Sequence, residues 1–160
     1  MRIFVFSDSH TDVINMAHII EKGSPDMVFH LGDHLKDALE LIDMYPALPF
    51  KCVKGNTDFY GPDTQELFFE LLGKRFLLAH GHLYGVKTGL ARYKAHAKAL
   101  GADIALFGHT HIPLLETDGD RIIMNPGRSG RFLNNFSPVS YGVLELEAAG
   151  EIKAKIVIAE

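Results

Sequence analysis

The stretch Asp103-Ile104-Ala105-Leu106-Phe107-Gly108-His109-Thr110-His111 joins a short apolar run to two closely spaced histidines. The apolar residues are typical of a buried β-strand. In an extended chain, residues i and i+2 point to the same side, so extension past the strand end would aim the rings of His109 and His111 at one place. Two converging imidazoles suit a metal site, and the alternative is a loop with two solvated histidines. This stretch alone leaves both interpretations open.

The composition predicts a single domain, residues 1–160, because 47% apolar residues are enough to fill one core. The formal net charge of −4 is spread along the chain, which argues against a stable nucleic-acid complex. The longest apolar runs fall far short of the ~20 residues that span a bilayer, so we expect no membrane association. Cys52 is the single cysteine, so no internal disulfide can form, and we expect a reducing, cytoplasmic location.

Strands alternate with helices in the first third of the chain. Apolar runs predict strands at residues 3–6, 27–29 and 50–53. Apolar residues at helical spacing predict two intervening helices, the first capped by Thr11 and ended by Gly23, the second over residues 35–42.

Hairpins dominate the rest of the chain. The predicted strand pairs are residues 67–72 with 75–79, 114–115 with 122–124, and 143–147 with 152–158. An alanine-rich helix is predicted at residues 88–100, before the buried strand quoted above. This order predicts an α/β fold built in layers, with two packed sheets and helices on the outside.

Five of the predicted strands are followed at their carboxyl ends by side chains that can bind a metal. These side chains are Asp8, His10, Asp33, Asn56, His80, His109 and His111. The carboxyl ends of strands are where open α/β sheets bind ligands, so we expect the seven to converge. Glycine accompanies four of the five strand ends, and its backbone freedom is expected to turn the ligands inward. These glycines are Gly32, Gly55, Gly81 and Gly108.

The donor atoms of this set are nitrogen and oxygen, with no cysteine sulfur. Such donors favour manganese, iron, nickel, cobalt or zinc in a reactive site over a sulfur-rich structural zinc site. Seven ligands are too many for one transition metal, whereas two ions sharing a bridging carboxylate would use them all. Paired ions ~3.5–4 Å apart are suited to in-line displacement at phosphorus.

Six short motifs occur in order between Asp8 and Gly127: Asp-x-His, Gly-Asp, Gly-Asn-x-Asp, His-Gly-His, Gly-His-Thr-His and Asn-Pro-Gly. This ordered set resembles the calcineurin-like metallophosphoesterases, most closely their small single-domain microbial branch. The resemblance implies a four-layer α-β-β-α sandwich of two mixed sheets flanked by helices.

The resemblance also implies a division of the ligands between two ions. The first ion would be held by Asp8, His10, Asp33 and His111, and the second by Asp33, Asn56, His80 and His109. Asp33 is then the bridging ligand.

The reaction implied by the resemblance is hydrolysis of a small-molecule phosphate ester by a hydroxide between two divalent transition metals. A phosphodiester is expected before a phosphomonoester, and manganese before nickel, iron, cobalt or zinc. Asp33 and Asn56 would be catalytic through the metals that they hold. A homo-oligomer is left open.

One departure from the family pattern affects the expected proton donor. Gly55-Asn56-Thr57-Asp58 has threonine where larger relatives carry a histidine thought to protonate the leaving group or stabilise the transition state. A general acid contributes roughly 10²–10⁴-fold. His82 is the expected substitute, with His34 as a weaker choice.

A second departure affects the expected substrate contacts. Asn125-Pro126-Gly127-Arg128 ends in arginine where relatives usually have serine. Arg128 would grip a phosphate bidentately, unless it is a solvated loop arginine. Asn125 and Thr57 complete the expected substrate contacts.

A competing interpretation is a non-catalytic protein-interaction scaffold on the same fold, like the retromer subunit that resembles this family. A scaffold has no need of a complete ligand set. All seven positions carry good donors, which favours catalysis, while threonine at position 57 keeps the scaffold interpretation open.

Overall fold

A computed structural model describes residues 1–131, 137–148 and 150–159 of the chain. In chain order the elements are β1 (Arg2–Phe6), α1 (Val13–Gly23), β2 (Met27–His30), α2 (Leu35–Met44), β3 (Phe50–Cys52), β4 (Glu66–Leu71), β5 (Lys74–Ala79), α3 (Ala91–Leu100), β6 (Ile104–Leu106), β7 (Leu114–Asp118), β8 (Arg121–Asn125), β9 (Ser140–Leu146) and β10 (Ile152–Ile158). A 3₁₀ turn, His82–Tyr84, lies between β5 and α3. Within these ranges, no helix is long and apolar enough to cross a membrane.

The strands form two five-stranded sheets, ordered β10-β9-β1-β2-β3 and β4-β5-β6-β8-β7. Both sheets are mixed. In the first, β1, β2 and β3 run in parallel while β9 is antiparallel to β1, and in the second, β5, β6 and β8 run in parallel between two antiparallel edge strands. The carboxyl ends of the three parallel strands share one edge of each sheet. The prediction of two mixed sheets is therefore confirmed.

The core is divided into three layers by the alternation of side chains along the strands. Between the sheets, Phe29 packs edge to face against Phe69 and Phe76, with ring centroids 5.8 Å apart in both pairs. The outer face of the first sheet packs against α1 and α2, and the outer face of the second packs against α3. This arrangement confirms the α-β-β-α sandwich.

Two helix starts differ from the prediction. The cap of α1 is Asp12, whose side chain accepts a hydrogen bond from the backbone N–H of Asn15. Thr11 instead lies in the left-handed region, at φ 74°. The third helix begins at Ala91 and not at Thr88, because Gly89 has a φ of 152° that a helix cannot contain.

Candidate metal centre

The loops after the parallel strands of both sheets bring histidine and aspartate side chains together. In one group, each member offers a potential ligand atom that lies within 4.8 Å of the others: Asp8, His10, Asp33 and His111. A second group, formed in the same way, contains Asp33, His80 and His109. Asp33 belongs to both groups, so its carboxylate lies between them.

The second group is centred on Nε2 of His80. This atom lies 3.4 Å from Oδ1 of Asp33, 3.2 Å from Nδ1 of His109 and 3.1 Å from Oδ1 of Asn56. Nδ1 of His80 lies 2.7 Å from the carbonyl oxygen of Leu31, to which it donates its proton, so the neutral ring presents a lone pair at Nε2. This lone pair faces the carboxylate oxygen of Asp33 and the amide oxygen of Asn56, and a cation among these three atoms removes their repulsion.

The first group shows the same need for a cation. The side chains of Asp8 and Asp33 are 0% and 5% exposed, and burying two carboxylates is costly without compensating positive charge. Nε2 of His10 is buried and has no hydrogen-bond partner in the part of the chain that the structure describes. Nε2 of His111 lies 3.1 Å from Oδ1 of Asp8. The donors of both groups therefore fit divalent metal ions.

The backbone around the donors adopts strained, left-handed conformations and is not extended. Five of the seven predicted ligands have positive φ: Asp8 (52°), His10 (43°), Asp33 (57°), His109 (68°) and His111 (61°). The left-handed region costs ~1–2 kcal/mol per non-glycine residue, and such strain collects at functional sites. The expectation of an extended chain after β6 was wrong, since His109 and His111 are both left-handed, while their rings join the two groups that share Asp33.

The four neighbouring glycines serve two different purposes. Gly32 and Gly81 have φ of 93° and 107°, as predicted from the backbone freedom of glycine. Gly55 and Gly108 are needed for space instead. A Cβ at Gly55 would lie 2.2 Å from Oδ1 of Asp33, and one at Gly108 would lie 2.0 Å from Oγ of Ser7.

Buried hydrogen bonds fix the aspartates in place. Oδ2 of Asp58 accepts from the backbone N–H groups of Asp33 (2.9 Å) and Gly55 (2.8 Å), which ties the loop after β2 to the loop after β3. Oγ of Ser7 donates to Oδ2 of Asp8 at 2.6 Å. Neither supporting residue was predicted from the sequence, although Asp58 ends the Gly-Asn-x-Asp motif and could have been found from it.

A second buried chain of hydrogen bonds supports the loop after β1. Nδ1 of His30 accepts from the backbone N–H of Gly32 at 3.3 Å, so Nε2 carries the proton and contacts Oγ of Ser9 at 3.1 Å. Ser9 in turn donates to Oδ2 of Asp37 at 2.6 Å. Since Ser9 lies between Asp8 and His10, this chain holds both donors in position. His30 is thus a supporting residue, and Asp37 and Ser9 are ones that sequence reasoning missed.

The protonation states suit metal binding. Burial raises the pKa of Asp8, but hydrogen bonds from His111 and Ser7 and the nearby His80 ring outweigh it, so the pKa lies below its usual value. Burial, with His80 and Lys87 nearby, lowers the pKa of His109 to about 4. Ionised carboxylates and neutral imidazoles are the forms that coordinate metals.

The expected catalytic groups lie at the edges of the two groups, with His82 beside the second and His34 beside the first. The ring of His82 is half-buried, with its centroid 5.4 Å from that of His80 and 6.1 Å from that of His109. The backbone N–H of Thr57 donates to Oδ1 of Asp33 at 3.1 Å, while the residue itself is exposed. The ring of His34 is 5.0 Å from that of His10.

Two of the expected substrate contacts have other partners. Asn125 is fully buried: Nδ2 donates to the carbonyl of Gly108 (2.8 Å) and to Oγ1 of Thr110 (2.9 Å). Arg128 is 7% exposed, and its guanidinium donates to the carbonyls of Ser137 and Gly130 at 2.9 and 2.5 Å. Asn125 therefore positions the loop of His109, and the guanidinium of Arg128 holds its own loop, while the expected contacts of both residues with a substrate stay predictions.

The fold has two mixed sheets, and a cluster of histidines and carboxylates lies at their strand ends. Together these features define a class of metal-binding α/β protein. The chain belongs to the calcineurin-like phosphoesterase superfamily, whose domain matches residues 1–149. This agrees with the resemblance carried by the six motifs, and it is a family that uses divalent metals.

Two individual relatives carry the names of phosphoesterases. The chain is 36% identical to YsnB, a probable metallophosphoesterase of Bacillus subtilis, over 92% of this chain and 85% of that protein. It is also 36% identical to the phosphodiesterase YfcE of Escherichia coli K12, over 58% of this chain and 50% of that protein.

Solved structures show the same fold. A protein of Streptococcus pneumoniae TIGR4, described as a predicted phosphoesterase, superposes with a TM-score of 0.75 and 26% identity over 99% of this chain and 97% of the other. Vps29 of Entamoeba histolytica, solved with Zn²⁺, superposes with a TM-score of 0.78 and 20% identity over 99% of each chain. The second likeness is one of fold alone.

Proposed function

We propose that this protein is a dinuclear metal-dependent phosphoesterase that hydrolyses a small phosphate ester, with a diester preferred over a monoester. The observation that carries the proposal is the sharing of Asp33 by the two donor groups. A single carboxylate between two sets of nitrogen and oxygen donors is what a pair of adjacent ions requires. The names of YsnB and YfcE support the same reaction class.

The seven predicted ligands would hold the two ions, divided between the two groups with Asn56 in the second. When bound, divalent ions supply an activated water and neutralise charge on phosphoryl oxygens. We expect manganese first, with nickel, iron, cobalt or zinc as alternatives.

The chain's own residues have three further tasks. The backbone N–H of Thr57 orients the Asp33 carboxylate. Asn125 and Gly108 hold the His109 loop against Asp8, whose Oδ2 accepts from the backbone N–H of His109 at 3.1 Å. The half-buried His82 ring, beside the second group, would donate a hydrogen bond to the departing oxygen.

Three further proposals concern the setting of the protein. Both sheets bury their facing sides in one shared core, which supports a single domain over residues 1–160. A cytoplasmic location is supported by the single cysteine, Cys52, whose pKa is raised by burial to about 12 and whose thiol is therefore unreactive. A homo-oligomer is a proposal that sedimentation can test.

Metal content is the first expected result. Protein loaded with Mn²⁺ and then desalted is expected to carry two ions per chain by elemental analysis. Chelation is expected to abolish ester hydrolysis and to lower Tm, because the buried carboxylates of Asp8 and Asp33 lose their counter-charge. Restored hydrolysis on adding Mn²⁺ back is the control. A protein that binds no ion from the divalent series, or hydrolyses equally well with and without chelator, would contradict the proposal.

Substrate preference is the second expected result. Bis-p-nitrophenyl phosphate is expected to be hydrolysed with a higher kcat/KM than p-nitrophenyl phosphate, by about tenfold, or ~1.4 kcal/mol of transition-state stabilisation. The same nitrophenolate leaves in both reactions, so the ratio reports the ester class. A higher kcat/KM for the monoester would reverse the proposed preference and leave the reaction class intact.

A further inference from the structure

An apolar groove of about 460 Å³ lies on the rim of the second sheet. Its apolar lining consists of Val86, Leu90, Phe107, Ile112 and Leu114. One wall is the segment 86–90 that leads into α3, and the other is the loop 107–114 between β6 and β7. Pockets of ~300–1,000 Å³ with mostly apolar walls are the usual form of small-molecule sites.

Both walls are continuous with the candidate metal centre. The first wall follows directly on the 3₁₀ turn that begins at His82, and the backbone N–H of Val86 donates to the carbonyl of Gly81 at 3.5 Å. The second wall contains His109 and His111 within its own loop. Thr110, which lines the groove, lies between His109 and His111, and Val86 and Phe107 pack around Gly81, between His80 and His82, so the groove adjoins both ligand-bearing loops.

The charge of the groove matches an anionic ester. Lys87 is the one charged residue among those described as lining it, and the side chain is solvent-exposed. The ammonium group of Lys87 would attract the anionic part of the ester, and the apolar lining of the groove would accept its uncharged arm.

Two apolar side chains, one lining the groove and one on the adjoining turn, are more exposed to solvent than the packing of the fold requires. Ile112 is 61% exposed and Leu83, on the adjoining 3₁₀ turn, is 54% exposed. Side chains this exposed contribute little burial to the stability of the fold. Ile112 therefore offers the groove an apolar surface that the packing of the fold does not use.

We propose that this groove binds an aromatic or apolar arm of a phosphate ester whose phosphoryl group is held at the metal centre. The inference rests on the proposed function and adds to it the class of substrate: an ester of an alcohol or phenol that carries a ring. Ile112 and Leu90 provide the apolar surface, and Lys87 adds attraction for the anion. The groove holds about one ring with its linker.

The test compares two probes that share a head group. Titration calorimetry measures the Kd of phenylphosphonate and of methylphosphonate for Mn²⁺-loaded protein. Partial burial of the phenyl ring is expected to make phenylphosphonate bind about tenfold tighter. Ile112→Ser is expected to reduce this ratio to about two while leaving methylphosphonate binding unchanged, and Lys87→Gln is expected to weaken both probes about equally, by ~2–3-fold.

Ile14→Ser is the matched control, because Ile14 is 78% exposed on α1, away from the groove. It is expected to leave both Kd values unchanged. Equal binding of the two probes, or equal effects of Ile112→Ser and Ile14→Ser, would overturn the groove proposal and leave the phosphoesterase standing. A change of mass on sedimentation of Ile112→Ser, with the probe ratio unaltered, would make the groove a contact between copies and overturn it too. Failure of both probes to bind, together with failure to hydrolyse esters, would remove the proposed function and the groove proposal together.

Discussion

Asp33→Asn is expected to reduce ester hydrolysis by about 10³-fold, because the loss of a charge shared by two ions removes roughly 4 kcal/mol of transition-state stabilisation. The carboxylate belongs to both donor groups. Because this side chain is only 5% exposed, an anion from the solvent cannot take its place between the metals. The amide keeps the shape of the side chain and an oxygen that can accept from the Thr57 N–H. The effect is therefore expected on metal content and rate, with the fold retained.

The measurements are elemental analysis of desalted protein, kcat/KM on bis-p-nitrophenyl phosphate, and Tm. Metal content is expected to fall from two ions per chain towards one. Asp120→Asn is the control, because Asp120 is exposed in the turn between β7 and β8. Two ions and full turnover in Asp33→Asn would refute the shared role of this carboxylate.

Gly108→Ala is expected to disrupt the site through size alone. A Cβ there would lie 2.0 Å from Oγ of Ser7 and 2.9 Å from Oδ2 of Asp8, far inside contact distance. Ser7 is fully buried and cannot move aside, so either Asp8 or the loop that carries His109 must shift. Overpacking of this kind costs ~1–3 kcal/mol of unfolding free energy, and displacing two ligands is expected to cost most of the activity.

Gly119→Ala separates this steric effect from the effect of losing a glycine. Gly119 has a φ of 62° and no atom within 4 Å of a Cβ position, so alanine there meets backbone strain of ~1–2 kcal/mol and no collision. Urea unfolding and Mn²⁺ content would be compared for the two variants. Gly119→Ala is expected to keep two ions per chain, whereas Gly108→Ala is expected to lose them. If both variants keep their ions, the close approach at Gly108 is not needed by the site.

The layers of the fold were predictable because the spacing of apolar residues along the sequence indicates which segments form strands or helices and which of their faces are buried. Alternation in β10 marks an edge strand with one wet face, and the continuous apolar runs of β1 and β6 mark strands that are buried on both faces. The family followed from the order of the motifs. Element ends were less predictable, as Gly89 shows, because a single backbone angle decides where α3 begins.

The residues that cluster at the site were predictable from the sequence, but the backbone angles that bring them together were not. Left-handed angles at Asp8, His10 and His109 are imposed by surrounding contacts, and although aspartate and histidine adopt such angles more often than most residues, neither type requires one. Asn125 and Arg128 illustrate the same limit. Both are polar residues in or next to a motif, and only the location of their hydrogen-bond partners shows that they hold loops.

The first donor group joins Asp8 to His111, 103 positions further along the chain. Ligands from the loops after β1 and β2 come from one sheet, and those from the loops after β5 and β6 come from the other. A nascent chain therefore cannot assemble either complete group until the segment up to His111 has been synthesised and the sheets have docked. Ion capture is thereby tied to the docking of the two sheets, and the bound pair would lock the two halves of the sandwich together.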